Sequence, residues 1–322
     1  MYRTLVALFS SLAAPIAASE FSLSWPIDCT LGETCYIQQY VDRDHGPGAV
    51  DFTCNKLTYD GHKGTDIALP YLSDMTAGVP VRAAADGVVA GVRNNMDDTY
   101  ATKDNSAQIK GRECGNGVVL RHVGGWETQY CHMKKGSIGV KTGDRVATGS
   151  TLGEVGLSGQ TQFPHLHVSV RQDGQVVDPF MPDPKAICGA SPKNQLWSSP
   201  ISYVAGAFIG AGFSHEVPRY DAIKSGDASE QVDSLTPKAP ALVLWAFAYG
   251  GLKGDTITLT VEGPDGMIID QTVTLEKDQA QFFRAAGKRL RASSWPTGLY
   301  TGTSRLVRNG REVDRVIRTI RF

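Results

Sequence analysis

The sequence predicts an all-β protein of two modules, and three observations carry that prediction. Between residues 59 and 180, short β-rich runs are cut by turns containing glycine: VRAAADGVVAGV, NGVVLRH, ETQYCHM, RVATGSTLGEVG and HLHVSVRQDGQVVDP. Runs bounded in this way read as strands. A second series follows from residue 239: ALVLWAFAYG, DTITLTVEG, GMIIDQTVTL, AQFFRAA, LYTGTSRLV and EVDRVIRTIRF. The Asn309-Gly310 pair between its last two runs is a strong two-residue hairpin signal.

The chain opens with MYRTLVALFSSLAAPIAASEF. One positive charge at Arg3, an apolar stretch from Leu5 to about Ala14 and small residues before Ser19 make the pattern of a secretory signal peptide over residues 1–19. Its cleavage falls near Ala18 or Ser19, and the apolar part is too short to span a bilayer. The expected destination is therefore secreted or periplasmic, with no membrane association after cleavage. All six cysteines (Cys29, Cys35, Cys54, Cys114, Cys131 and Cys188) follow that segment. An even count in an exported chain suggests disulfides, and no Cys-x-x-Cys pair supports a thiolate zinc knuckle. Cys114 and Cys131 flank the hairpin NGVVLRHVGGWETQY and are placed to staple its ends. The other four allow three pairings.

Residues 20–58 are irregular, with Pro, Gly, Cys and Asp and no long helical periodicity. Residues 59–180 form the first strand-rich module. Within it the polar stretch 94–113 reads as a long loop of the kind that borders a cleft. Residues 181–238 read as linker and connecting region, in which the Gly-rich ISYVAGAFIGAGF is expected to be a buried strand pair. Residues 239–322 hold five to seven strands, as in a sandwich of immunoglobulin-like type. This module has no histidine cluster and no paired acids, so it is expected to be non-catalytic.

Composition narrows the function. A formal net charge of −1 and 41% hydrophobic residues describe an ordinary globular chain with no electrostatic case for nucleic acid. The most basic stretch, REVDRVIRTIRF, alternates arginines with apolar residues and reads as the solvent face of a strand.

Three segments of the first module carry candidate metal ligands: DGHKGTDIAL with His62 and Asp66, QYCHMK with His132, and FPHLHV with His165 and His167. In a strand, residues i and i+2 share a face with Cα atoms about 6.6 Å apart, so the two imidazoles of His-x-His can converge on one small object. His62 and Asp66 would be about 13 Å apart in an ideal strand. Gly61 and Gly64 disfavour a helix, so the chain must bend through the glycines for both to reach one ion. Two His and one Asp with a fourth position left for water make an open zinc site. His45, His122 and His215 lie outside these segments and read as solvated or locally hydrogen-bonded. Asn94, Asn116, Gln129 and Tyr130 read as structural.

These segments resemble the motifs of the lysostaphin/LytM-type zinc metallopeptidases, which cut peptide bridges in peptidoglycan. The matching text is His-x-x-x-Asp (HKGTD), a central His after an aromatic (YCHM) and His-x-His (HLH). GVPVRAAADGVVAGV and VKTGDRVATGSTLGEVGLSGQT resemble the flanking hairpin and turn-rich stretches, so the likeness covers about residues 59–179. It implies a LytM-type β-hairpin/sheet peptidase domain. It implies one Zn2+ per chain held by His62, Asp66 and His167, His132 and His165 as the catalytic pair, and peptidoglycan stem peptides as substrate. Cys131 departs from the family, which has a small or varied residue there; a disulfide is the expected role. The competing expectation is a catalytically silent LytM-type module that binds or activates another cell-wall hydrolase. Asp28, Asp42 and Asp44 are the acidic groups with which residues 20–58 would approach the metal.

Overall fold

The computed structural model describes residues 21–189, 194–230 and 235–322, so the expected signal peptide lies outside the described residues. Strands dominate. In chain order they are β1 Tyr36–Gln39, β2 Thr65–Ala68, β3 Pro80–Arg82, β4 Gly87–Arg93, β5 Asn116–Arg121, β6 Trp126–Met133, β7 Arg145–Val146, β8 Thr151–Glu154, β9 His165–Gln172 and β10 Gln175–Val176. They continue as β11 Ala207–Ser214, β12 Ala241–Gly251, β13 Thr256–Gly263, β14 Gly266–Thr274, β15 Gln279–Arg289, β16 Leu299–Arg308 and β17 Arg311–Arg321. The helices are short: α1 Leu72–Ala77, α2 Ser106–Ile109, α3 Tyr220–Ser225 and α4 Asp227–Glu230. The all-β expectation holds. Among the described residues no helix is long and apolar enough to cross a membrane.

One antiparallel sheet carries the first module in the order β1-β2-β9-β6-β5-β4-β7, with β10 on β9 and a separate β3-β8 pair. Alternation along β9 explains its sequence. Leu166, Val168 and Val170 are buried in the core beneath the sheet. His165, His167 and Ser169 therefore rise on the opposite face. Register carries that face sideways, pairing Asp66 with His167 and Ala68 with His165 across β2, and Cys131 with His167 across β6. The segment expected to be irregular contributes β1, which pairs with β2 and sets Gln39 opposite Asp66.

Two sheets form the second half, β11-β12-β15 and β14-β13-β16-β17. Phe213, Leu244, Leu259, Val261, Tyr300 and Leu306 pack between them. ISYVAGAFIGAGF supplies one strand, β11, instead of the expected pair; residues 201–206 have no regular structure. β11 pairs along β12, and α3 closes the outer face of that sheet through Ile223 against Trp245 and Phe247. That second cover explains why β12 reads as a continuous apolar run, since it is buried on both faces. The β16–β17 turn has Asn309 at φ 50° and Gly310 at φ 76°, the left-handed pair that the Asn-Gly signal demands.

The halves touch. Gln38 Nε2 donates to the Ala280 carbonyl at 2.8 Å, Gln281 Nε2 donates to the Tyr36 hydroxyl at 2.8 Å, and Tyr36 stacks on Tyr249. The cysteines pair as Cys114–Cys131, as Cys29–Cys35 and as Cys54–Cys188. The last ties the N-terminal segment to the stretch after β10.

Candidate metal and active site

His62 enters the site from a turn. Gly61 has φ 75°, and the next glycine, Gly64, lies under the His167 ring, where a Cβ would stand 2.5 Å from His167 Nε2. Only glycine admits the ring that close. The N-terminal segment orients the imidazole. His62 Nδ1 donates to the Tyr40 carbonyl at 2.6 Å, and the Asp42 carboxylate accepts from Gly61 N at 2.9 Å. A carbonyl only accepts, so the ring proton sits on Nδ1, and neutral His62 presents the lone pair of Nε2.

That lone pair meets two others. His62 Nε2 is 3.1 Å from Asp66 Oδ1 and 3.2 Å from His167 Nδ1, and His167 Nδ1 is 2.7 Å from Asp66 Oδ1. His167 is fixed on its far side by Ser169 Oγ at 3.0 Å from Nε2. Ligands on a tetrahedral zinc with bonds of about 2.0–2.1 Å lie about 3.3 Å from one another. The donor set therefore has the spacing and the chemistry, two imidazoles and a carboxylate, that such an ion needs. Among the described residues these three form the one group of this kind.

Electrostatics lead to the same conclusion. Asp66 is 3% exposed. Burial alone would push its carboxyl up, but His62, His165 and His167 around it hold it well below the usual carboxylate range. Burial opposes charge on His62, and the Asp66 carboxylate outweighs it and raises the imidazole. The pocket is thus a buried anion seeking a cation.

His132 and His165 stand across from this cluster. His165 Nδ1 donates to the Phe163 carbonyl at 2.9 Å and lies 3.0 Å from Thr161 Oγ1. His132 Nδ1 donates to the Ser158 carbonyl at 2.8 Å. Both rings thereby keep Nε2 without its proton; His165 Nε2 lies 3.5 Å from Asp66 Oδ1. Burial, then the neighbouring imidazoles, hold His132 well below the ordinary histidine range; burial likewise lowers His165. Each is a neutral base.

Strict alternation would send His132 to the core side with Tyr130. It reaches the site because the strand bulges there. Gly117 alone opposes Cys131 and His132, between the pairs Asn116–Met133 and Val118–Tyr130, and His132 takes φ 60°. Bulges re-aim side chains in this way. Gly117 is required, since a Cβ would sit 2.3 Å from the Tyr130 carbonyl. The Cys114–Cys131 disulfide closes the bulge, and His132 N donates to the Cys114 carbonyl at 2.8 Å.

The other singled-out residues are structural. The Tyr130 hydroxyl accepts from Ala84 N and from Thr128 Oγ1, and His122 Nε2 lies 2.8 Å from the same Thr128 hydroxyl. Asn116 ties the 94–113 loop to β6 through Met96 and Met133. Asn94 binds the Ile138 main chain, and Gln129 accepts from Arg171. Asp28 pairs with Arg82 and Asp44 accepts from Gly46 N, so neither joins the cluster. Sequence reasoning missed the main-chain acceptors at Tyr40, Ser158 and Phe163, which leave no side-chain signature. It also missed Phe163 itself, whose ring stacks on His165 at 4.4 Å.

Comparison with known proteins places this half of the chain. Residues 60–179 match Peptidase family M23. The DD-carboxypeptidase/endopeptidase Mpg of Neisseria meningitidis serogroup B is 36% identical over 124 residues, 38% of this chain and 23% of that protein. The peptidoglycan DD-endopeptidase ShyA of Vibrio cholerae serotype O1 is 35% identical over 117 residues, 36% of this chain and 22% of that protein. The chain thus spans less than a quarter of the length of these curated relatives. Among solved structures, the catalytic domain of the prophage-encoded M23 protein EnpA from Enterococcus faecalis aligns with a TM-score of 0.30 at 26% identity, over 44% of this chain and 88% of that one. With the histidines and the aspartate in the expected segments, residues 60–179 are a peptidase family M23 domain of the LytM type.

Proposed function

We propose that this chain is an exported zinc endopeptidase that hydrolyses peptide bonds in peptidoglycan cross-links. The observation that carries the reading is the convergence of His62 Nε2, Asp66 Oδ1 and His167 Nδ1 beside two neutral imidazoles. The names of Mpg and ShyA support the substrate class. Three disulfides and the N-terminal pattern support an oxidising compartment outside the cytoplasm.

His62, Asp66 and His167 would hold the zinc ion. When bound, it supplies Lewis acidity and brings the pKa of water down towards about 7. His132 and His165 supply the proton movements. Each has its Nδ1 proton committed to a carbonyl, so Nε2 accepts a proton from the attacking water. The same Nε2–H then stabilises the developing oxyanion and returns the proton to the leaving amine. Burial of both rings keeps bulk water from competing. Residues 1–19 serve as leader, 20–58 as a brace for His62, 59–180 as the catalytic unit and 239–322 as an accessory sandwich, to which the connecting region 181–238 adds β11 and α3.

The test is release of cross-link peptides from purified sacculi by the full chain, with His62→Ala and His165→Ala as controls. Activity in the wild type and loss in both variants is the expected result. Equal release by all three overturns the assignment, as does a metal-free protein that only stimulates a separate hydrolase.

A further inference from the structure

We infer that Lys224, from the chain beyond the peptidase domain, recognises a carboxylate of the bound peptide; this rests on the peptidase reading above. Lys224 lies on α3, which is seated by Ile223 on Trp245 and Phe247 of the sandwich. Its half-buried ammonium stands 4.5 Å from the centre of the Tyr100 ring and 5.2 Å from that of Tyr220. Arg43, Arg171 and Arg308 are also largely buried, and each has a carboxylate partner. Arg284 also lies over a ring, that of Phe282, without an ion pair, but it donates to the Phe283 carbonyl; Lys224 has aromatic faces and, among the described residues, no ion pair.

Two connections place this ammonium beside the chemistry. Lys224 lines one crevice with Tyr100, Leu69, Pro70, Phe163 and Pro164, and the Phe163 ring stacks on His165. Tyr100 belongs to the 94–113 loop. The next residue of that loop, Ala101, donates its N–H to the carbonyl of Thr161, whose hydroxyl lies 3.0 Å from His165 Nδ1. A peptide seated at the two catalytic imidazoles and running past Phe163 therefore meets Lys224. Aromatic faces hold a cation in place while leaving its N–H donors free. The group they leave unsatisfied is an anion, and on a peptide that anion is a free carboxylate. The structure thus favours acidic stem peptides over neutral bridges, and it gives the C-terminal half a share in substrate choice.

The experiment compares a cross-linked muropeptide dimer with its fully amidated form. Binding to the full chain is measured by calorimetry in the His165→Ala background, with Lys224 intact or replaced as Lys224→Met or Lys224→Arg. Turnover of both peptides is followed in parallel with His165 intact. The expected result is that Lys224→Met weakens binding of the carboxylate form about fivefold, as befits a half-exposed ion pair, and leaves the amidated form unchanged. Lys224→Arg restores the preference. Equal binding of both forms by wild-type Lys224, equal loss on both in Lys224→Met, or no binding of the carboxylate dimer overturns the inference. Charge discrimination without turnover keeps the inference and removes the peptidase reading; turnover without discrimination does the reverse.

Discussion

The rings of His132 and His165 stand 4.6 Å apart, and a main-chain carbonyl fixes each through Nδ1. Neither is among the three converging donors, so under the proposed function proton transfer and metal retention should separate. His132→Ala and His165→Ala are expected to lower kcat by about 10²–10⁴-fold while bound zinc stays near one per chain. Elemental analysis beside the rate measurement checks this, and loss of metal in either variant would contradict it.

Changes in the donor set should behave differently. Asp66→Ala leaves two imidazoles and a buried, anion-free pocket. Zinc and activity are both expected to vanish, and added zinc should no longer raise the melting temperature. In the wild type, zinc at 100 times its Kd should add about 2.7 kcal/mol of stability. A calorimetric scan with and without chelator distinguishes the two proteins.

Gly64→Ala tests the packing under His167. The new methyl would meet His167 Nε2 at 2.5 Å and must push the ring away from Asp66 and from Ser169. Affinity for zinc is expected to fall at least tenfold, in line with the usual cost of disturbing a ligand's support, about 10–100-fold. Equilibrium competition with a zinc chelator measures it.

Replacing Cys114 and Cys131 together by serine removes the clamp on the bulge. Chain entropy alone predicts a loss of about 3 kcal/mol for a loop of this length. The larger effect is expected on kcat, because the disulfide spans the bulge at which His132 takes φ 60° and donates its N–H to the Cys114 carbonyl. Zinc content should stay unchanged.

Asp178 gives one part of the pH dependence of folding. Its carboxyl is buried beside Arg43, one oxygen capping Phe180 N, and burial pushes it up to about 6. The folded chain therefore binds this proton more tightly than the unfolded chain, whose aspartates titrate near 3.9. The contribution is fully present below about pH 4 and is lost as pH rises towards about 6, amounting to roughly 3 kcal/mol. Asp178→Asn should flatten that part of the stability curve, as read from urea midpoints between pH 4 and 7.

Much of this site is written in side chains. The His-x-His spacing on β9 puts two imidazoles on one face because Leu166, Val168 and Val170 must go to the other. The glycines around His62 announced a bend. The position of His132 was not legible from period alone, because a one-residue bulge at Gly117 inverts the side to which it belongs. Carbonyl partners at Tyr40, Ser158 and Phe163 were invisible for a simpler reason: every residue type has one. In the C-terminal half the Asn-Gly hairpin was readable from local turn chemistry. The single strand in ISYVAGAFIGAGF was not, since its partner β12 lies about thirty residues further on.

The hydrogen bond from His62 to the Tyr40 carbonyl crosses the edge of the family match at residue 60. Anyone excising the M23 domain for crystallisation or for grafting onto another carrier should cut upstream of Leu23 and keep Cys188. A fragment trimmed at the conventional boundary would start life with one imidazole unanchored, and its poor performance would be mistaken for a property of the whole protein.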